Sequence, residues 1–304
     1  MQKVLISILH YKNQEATLKC LDSLEKSEKS GLFIELLLID NNSPEKLKVD
    51  ESNFPSLRIR TLYLEKNLGF AGGHNLAFDY LLNNDFDFLL LLNNDAVVEK
   101  DAIIELVEAS KRHSRVGITV PKIYFTKNHE FHKARYKPEE LGRVIWYAGG
   151  KTDWKNIVSF HIGVDEVDNG QFDEERATEF ATGACMLISR KAVEEVGDFD
   201  EKFFLYYEDG DLNMRMKKHG YSILYAPKAV AWHNNAGSSG SGSELQDYYI
   251  SRNRMLFGMR YAPLRARVSL IRESLTLLKS GRKWQKRGIA DFYLKKFGKG
   301  SFAL

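Results

Sequence analysis

The sequence predicts an α/β fold: a parallel sheet covered by helices on both faces, joined to a mixed second half. Three observations carry this prediction. Apolar, β-branched runs alternate with segments of helical spacing through residues 1–115. Clusters of Asp and Asn terminate those runs, and after Arg112 the alternation gives way to shorter strand-like pieces. With 304 residues, 43% of them hydrophobic and 28% charged, the chain buries a large core without a partner, which excludes disordered and fibrous classes.

Val4 to Leu9 is the first strand, and Leu18, Leu21 and Leu24 mark the first helix. Ile34 to Ile39 and Ile59 to Leu64 read as strands two and three, a helix runs from about Gly72 to Leu82, and Phe88 to Leu92 is strand four. Strands separated by helices imply a parallel, doubly covered sheet. In the second half, Gly117 to Pro121 is a strand and Thr126 to Arg143 a polar surface excursion. Ile145 to Gly150 and Ile157 to Ile162 form a hairpin-like pair, and Gly183 to Ser189 is a buried strand. Asp209 and Asp211 open a short helix that ends at Gly220, with Asp211 as its N-cap and paired to Arg215. Ser222 to Ala226 is a strand stopped by Pro227, and the Gly/Ser-rich stretch from Asn234 to Ser243 is expected to be a mobile loop of the kind that acts as a lid. The division expected is a catalytic domain over 1–260, split into halves at 115/116, and a helical tail over 261–304.

Two cysteines, Cys20 and Cys185, are too few for a stapled secreted scaffold and fit a reducing cytosol. The apolar start, Val4 to Leu9, is too short for a signal-peptide core, and the longest dense apolar run, Phe88 to Leu92, is far below the roughly 20 residues of a membrane-spanning helix. A cytoplasmic location follows as the expectation. Net charge is +3, but from Arg260 to Leu304 there are 12 Lys/Arg against 2 Asp/Glu, a balance of +10 that leaves −7 for the rest.

In parallel sheets ligands bind outside the carboxyl ends of the strands. Here those ends carry Asp40-Asn41-Asn42, the segment Asn67 to Asn75, and Asn93-Asn94-Asp95. Asp95, just past four consecutive leucines, is an oxygen ligand at a rigid edge and suits Mg2+ or Mn2+ with substrate phosphate, although Asn-Asp pairs also favour plain turns. Gly69, Gly72 and Gly73 let backbone approach a ligand and present amides at a helix start, where anions bind. Their G-x-x-G-G spacing after the third strand is not a dinucleotide fingerprint, which disfavours a dehydrogenase. After the aromatic run Phe203 to Tyr207, Glu208 and Asp209 lie where partial desolvation raises a carboxyl pKa, which makes Asp209 the candidate general base. His233, at the end of an apolar segment, is either structural or a metal ligand.

Taken together and in order, these residues resemble the family 2 glycosyltransferases of GT-A fold, in particular the bacterial rhamnosyltransferase-like branch. The resemblance spans Val4 to Tyr261. It rests on Asp40-Asn41-Asn42-Ser43, Asn67 to Asn75, Leu92-Asn93-Asn94-Asp95, Thr182 to Met186, Gly197 to Glu201, Glu208-Asp209 with Asp211-Leu212, His233 and Arg252-Asn253. It implies a Rossmann-like nucleotide-binding sheet fused to an acceptor-side half, with inverting transfer from a dTDP- or UDP-sugar, L-rhamnose among the donors. Asp40, Asn42, Asn67, Gly69, Gly72, Gly73, Asn75, Asn93, Asn94 and Arg252 would then contact the nucleotide sugar. Asp209 would be the base beside Glu208, and Asp95 and His233 would hold the metal. The acceptor class it implies is a glycan or lipid-linked oligosaccharide of bacterial surface polysaccharide. Asn93 stands where the family's D-x-D motif often has Asp, so metal and donor are expected to bind cooperatively. The same Asn93 leaves open a catalytically silent sugar-nucleotide or glycan-binding protein, against which Glu208-Asp209 and His233 argue.

Arg265 to Phe297 reads as two basic amphipathic helices. They either lie peripherally on the inner face of an anionic membrane or pack on the catalytic domain, and they offer a face for a homodimer. Nucleic acid is not expected as a partner, because no aromatic platform interleaves the charges.

Overall fold

The computed structural model describes residues 1–234 and 242–302. The segment expected to form a lid therefore lies largely outside the described residues. The four expected strands are present as β1 (Gln2–His10), β2 (Leu32–Asp40), β3 (Arg58–Tyr63) and β4 (Phe88–Asn93), parallel in the order β3-β2-β1-β4. β4 buries five consecutive residues, the unbroken apolar pattern of a strand covered on both faces. The helices α1 (Gln14–Glu25), α2 (Gly69–Asn83) and α3 (Ala102–Arg112) bury Leu21, Phe78 and Ile103 in the same core as the strands. Because β2 and β3 lie on one side of β1 and β4 on the other, the carboxyl ends of β1 and β4 frame the crevice where such sheets bind ligands.

The remaining strands are β5 (Ala96–Val98), β6 (Val116–Phe125), β7 (Ile145–Tyr147), β8 (Gly150–Asp153), β9 (Val158–His161), β10 (Arg176–Ala177), β11 (Cys185–Ser189) and β12 (Ser222–His233). The sheet continues past β4 as β11-β6-β12-β10, with β11 antiparallel to both neighbours, β5 on β12 and β7 on β6. The GT-A architecture implied by the resemblance is thus realised as one ten-stranded sheet.

Three expectations are corrected. The expected hairpin splits: β7 joins the main sheet through β6, and only β8 and β9 pair with each other. Pro227 does not end its strand, because β12 loops three residues out of register between Ala226 and Val230, which removes the need for a proline N–H in the ladder. Asp211 is not an N-cap; α5 (Glu208–Lys218) starts after Tyr207, and Asp211 sits buried in its first turn. Its ion pair with Arg215, at 2.8 Å, is present, and Arg260 adds a second at 2.8 Å.

After α4 (Arg190–Val196) and α5, the chain ends in α6 (Glu244–Tyr261), α7 (Leu264–Ser280) and α8 (Lys283–Tyr293). The two tail helices are α7 and α8. Leu270 and Ile289 pack with Met255, Leu256 and Phe257 of α6, and Gly288 brings α8 against the Tyr248 backbone. No helix among the described residues is long and apolar enough to cross a membrane. Cys20 and Cys185 are both free and buried.

Candidate active site

The first two polar clusters at the sheet edge are stitched together by Asn41. Its Nδ2 donates to Asn67 Oδ1 at 3.2 Å and to the Gly69 carbonyl at 3.0 Å, and its Oδ1 accepts from the Leu68 N–H at 2.8 Å. Asp40, equally buried, accepts from the N–H groups of Ser43 and Leu47, both at 2.8 Å. Its carboxylate therefore shapes the loop after β2 instead of standing free for a base and ribose. Asn67 Oδ1 is engaged in the same way by the Gly69 N–H at 2.8 Å. Asn42, at φ 60°, is the exposed side chain of this turn.

The glycine segment corrects the anion-cradle expectation. In the first turn of α2 the N–H groups of Phe70 and Ala71 donate to the Phe204 carbonyl at 2.7 and 3.2 Å and that of Gly69 to Asn67, so three of its four free donors are already taken. Gly69, at φ 73°, lies so close to Phe204 that a Cβ would overlap its carbonyl and ring. Gly73 lies against Leu9, where a Cβ would meet Cδ1 at 2.5 Å, and Gly72 borders Leu68 and Glu201. Asn75 is bound in both directions to the Phe199 backbone, at 2.9 and 3.0 Å. These residues seat α2 on β1 and on the 199–204 segment. Close packing and ligand approach both call for glycine, so spacing alone did not separate them.

At the end of β4 the picture differs. His233, at the end of β12, places Nε2 at 3.1 Å from Asp95 Oδ1 and 3.3 Å from Asn93 Nδ2. Ligands about 2.1 Å from a cation at adjacent corners of an octahedron stand about 3 Å apart, so the Asp95–His233 spacing fits a small divalent ion. No third His, Cys, Asp or Glu joins them among the described residues. The Asn93 amide, whose oxygen and nitrogen ends exchange by a half-turn, is the next donor. Asn94 is tied inward to Thr17 Oγ1 at 3.0 Å, and Thr17 in turn meets His10 Nδ1 at 2.7 Å. Burial lowers the His10 pKa, opposed by the charge of Asp40.

Two aromatic residues support this centre that the sequence did not single out. The Trp146 ring lies 4.4 Å from that of His233, and His161 stands edge-on to Trp146 at 4.4 Å. Burial pushes His161 down to about 4, so it is a neutral ring at physiological pH. Buried aromatics on short strands read as core, which is why no signal marked them.

Asp209, in the first turn of α5, accepts from the N–H of Gly183 at 3.2 Å and of Gly210 at 2.7 Å. Burial nonetheless raises its pKa to about 6. Glu208 is more deeply buried, with Oε2 unpartnered, and burial followed by the charge of Asp209 drives its pKa well up. The next residue, Ala184, accepts from the Asn93 N–H at 2.9 Å through its carbonyl. The dipeptide Gly183-Ala184 thus links the candidate base to the candidate metal-binding edge.

Arg252 is reassigned. It is fully buried in α6, and its guanidinium donates to the carbonyls of Gly298 (2.6 Å), Lys202 (3.1 Å) and Phe203 (3.0 Å) and to Asn253 Oδ1 (2.9 Å). Asn253 Nδ2 lies 2.8 Å from the carbonyls of Phe203, Leu205 and Tyr206. Between those carbonyls and Asp209, three non-glycine residues hold left-handed backbone: Phe204 (φ 63°), Tyr206 (φ 68°) and Tyr207 (φ 73°). Arg252 and Asn253 therefore clamp a strained segment that leads to Asp209, the candidate base.

A crevice at the carboxyl edge of the sheet, a candidate metal pair and a raised carboxyl thus lie on one GT-A sheet, the arrangement of a glycosyltransferase. The model described as Glycosyltransferase like family 2 matches residues 2–258, and the chain belongs to that family. It is 27% identical over 216 residues to the N-acetylglucosaminyl-diphospho-decaprenol L-rhamnosyltransferase of Mycobacterium tuberculosis, covering 68% of each chain. It is 28% identical over 253 residues to the low-salt glycan biosynthesis hexosyltransferase Agl10 of Haloferax volcanii, covering 83% of this chain and 74% of that one. Among solved structures, GalNAc-T7 with UDP, GalNAc and Mn2+ superposes at TM-score 0.63 and 14% identity over 97% of this chain, which spans 58% of that chain's length. The mannosyltransferase PcManGT of Pyrobaculum calidifontis, in complex with GDP-Man and Mn2+, superposes at TM-score 0.52 and 14% identity over 98% of this chain and 76% of that one. These likenesses establish the fold.

Proposed function

We propose that the protein transfers a hexose, with L-rhamnose as the leading candidate, from a dTDP- or UDP-sugar to a hydroxyl of a glycan or lipid-linked oligosaccharide. The transfer inverts the anomeric carbon and serves bacterial surface polysaccharide, at the inner face of the membrane. The observation that carries this reading is the Gly183-Ala184 bridge, which binds Asp209 on one side and Asn93 on the other.

Asp209 takes the proton of the acceptor hydroxyl as its oxygen bonds to the anomeric carbon and the bond to the diphosphate oxygen breaks. A base with its pKa near 6 suits that task at neutral pH, and such catalysis contributes about 10²- to 10⁴-fold. Burial, followed by the charge of Asp209, favours the neutral form of Glu208, which keeps a second charge away from the base. Asp95 and His233, with the Asn93 amide, would hold a divalent cation, Mg2+ or Mn2+. Bound there, such an ion supplies positive charge against a diphosphate leaving group. Asn42 is the exposed polar group on the nucleotide side. The names of the two curated relatives support the sugar and the acceptor class, and the Mn2+ in both solved neighbours supports the metal.

The test is calorimetric titration of UDP, dTDP and their sugars with Mn2+ and with chelator, on wild type and Asp95→Ala. Metal-dependent binding that the substitution removes is the expected result. Absence of nucleotide binding under every condition overturns the reading.

A further inference from the structure

Among the described residues, one face of the C-terminal helices carries no protein. α7 buries Ala266, Leu270 and Ser274 against the body, whereas Leu264, Val268, Ile271 and Leu275 face outward with 76, 42, 37 and 52% of their surfaces exposed. Their spacing of four, three and four residues places them on one stripe of the helix. Tyr293, whose hydroxyl meets Ser274 Oγ at 2.7 Å, adds an exposed ring beside that stripe.

The charge is on the same hairpin. Arg265, Arg272 and Lys279 recur every seven residues along one flank of the stripe, and none is in an ion pair among the described residues. Through Leu278 the stripe runs into an open groove of about 550 Å3 that Lys283, Trp284, Lys286 and Arg287 help to line. Trp284 Nε1 is buried there with no acceptor among the described residues, beside Lys283 and Lys286, which are in no ion pair among the described residues, and Arg287, which lies 3.6 Å from Asp291; such cations would accompany an oxyanion.

We infer that this hairpin is the face on which the protein lies against an anionic phospholipid surface. α7 lies in the plane of the surface, its stripe sunk among acyl chains and its cations at the level of the phosphates, with one lipid phosphate in the groove beside Trp284. A second copy of the chain would set one +10 tail against another, whereas an anionic surface neutralises it. A lone polyanion would leave the stripe in water. The inference names the surface for the membrane-side acceptor proposed above and rests on that reading for its purpose.

The test is co-sedimentation of the full chain with vesicles of phosphatidylglycerol and phosphatidylcholine in equal parts, and of phosphatidylcholine alone. Wild type pellets with the anionic vesicles at low salt, leaves them at high salt and ignores the neutral ones. The pair Val268→Asp/Leu275→Asp weakens binding about tenfold or more, and Lys283→Ala/Lys286→Ala weakens it about fivefold per cation. Phe131→Ser, an exposed aromatic outside the tail, binds as wild type does. An environment-sensitive thiol dye on Leu275→Cys shifts to the blue when anionic vesicles are added, since Cys20 and Cys185 are buried.

Equal binding to both vesicle types, binding indifferent to the α7 pair, or an unshifted dye overturns the inference. So does a concentration-dependent dimer that the α7 pair abolishes without any vesicle binding, because the stripe then belongs to a second copy. Far-UV circular dichroism of every variant reports folding, and UDP titration separates the two claims. Vesicle binding without nucleotide binding keeps the face and breaks the proposed function, and the reverse result does the opposite.

Discussion

Asp209 carries a cost that the role of base proposed for it would explain. A carboxyl whose pKa is raised from about 4 when unfolded to about 6 when folded stabilises the protein below the unfolded value, and that contribution is lost as pH rises through about 6. Asp209→Asn is therefore expected to unfold at higher denaturant than wild type at pH 8, with the difference shrinking toward pH 4. The same substitution lowers kcat by about 10²- to 10⁴-fold and leaves donor affinity unchanged. Wild-type turnover rises with pH to a plateau above about 6; a profile flat through that region removes Asp209 as the base. At the metal edge, one carboxylate and one imidazole are few ligands for a hard cation, so the donor diphosphate must complete the shell. Mn2+ is expected to bind more tightly with UDP present than without, and His233→Ala to weaken Mn2+ binding in both titrations while the UDP dependence remains; equal wild-type Mn2+ affinities with and without UDP contradict it.

At the scale of elements, α6 and the segment before α5 form one device. Three left-handed residues cost on the order of 1–2 kcal/mol each, and the carbonyls of that segment are satisfied by Arg252 and Asn253. Asn253→Ala strips donors from buried carbonyls and is expected to destabilise by about 3 kcal/mol in urea unfolding. In what folds, kcat falls while UDP affinity holds, because the lost bonds orient Asp209 and not the donor edge. A fall in UDP affinity with kcat intact would place α6 at the donor side instead. Such a clamp was not legible in Arg252-Asn253. The dipeptide carries a cation and an amide, both as apt for a phosphate as for backbone carbonyls, and only the distance to 202–206 decides between them.

For the whole molecule, the tail bears on the catalytic segment as well as on its surroundings. Arg252 donates to the Gly298 carbonyl, Tyr248 donates to Asp291 at 2.5 Å, and α8 rests on α6. We propose that the tail and the 1–260 body unfold together. Deleting residues 264–302 is expected to give an insoluble or non-cooperatively unfolding chain, and the full chain to unfold in a single calorimetric transition. A soluble deletion variant that binds UDP with wild-type affinity would show that the tail is a separate unit.

The alternation of strands and helices, the carboxyl ends of β1 to β4 and the family were legible in the sequence, and so was the choice of Asp95, His233 and Asp209 as candidates, because apolar periodicity and strand-end chemistry are local properties. The two basic amphipathic tail helices were legible there as well. The tertiary structure alone decided that Asp40, Asn67, Asn75 and Arg252 spend their polar atoms on backbone and that the glycines of α2 admit Leu9 and Phe204. It alone brought Trp146 to His233, carried β12 past Pro227 and turned the apolar stripe of α7 outward. Those outcomes depend on which groups distant in sequence reach hydrogen-bonding or packing distance. A polar side chain looks the same in sequence whether its partner is a ligand or a carbonyl fifty residues away.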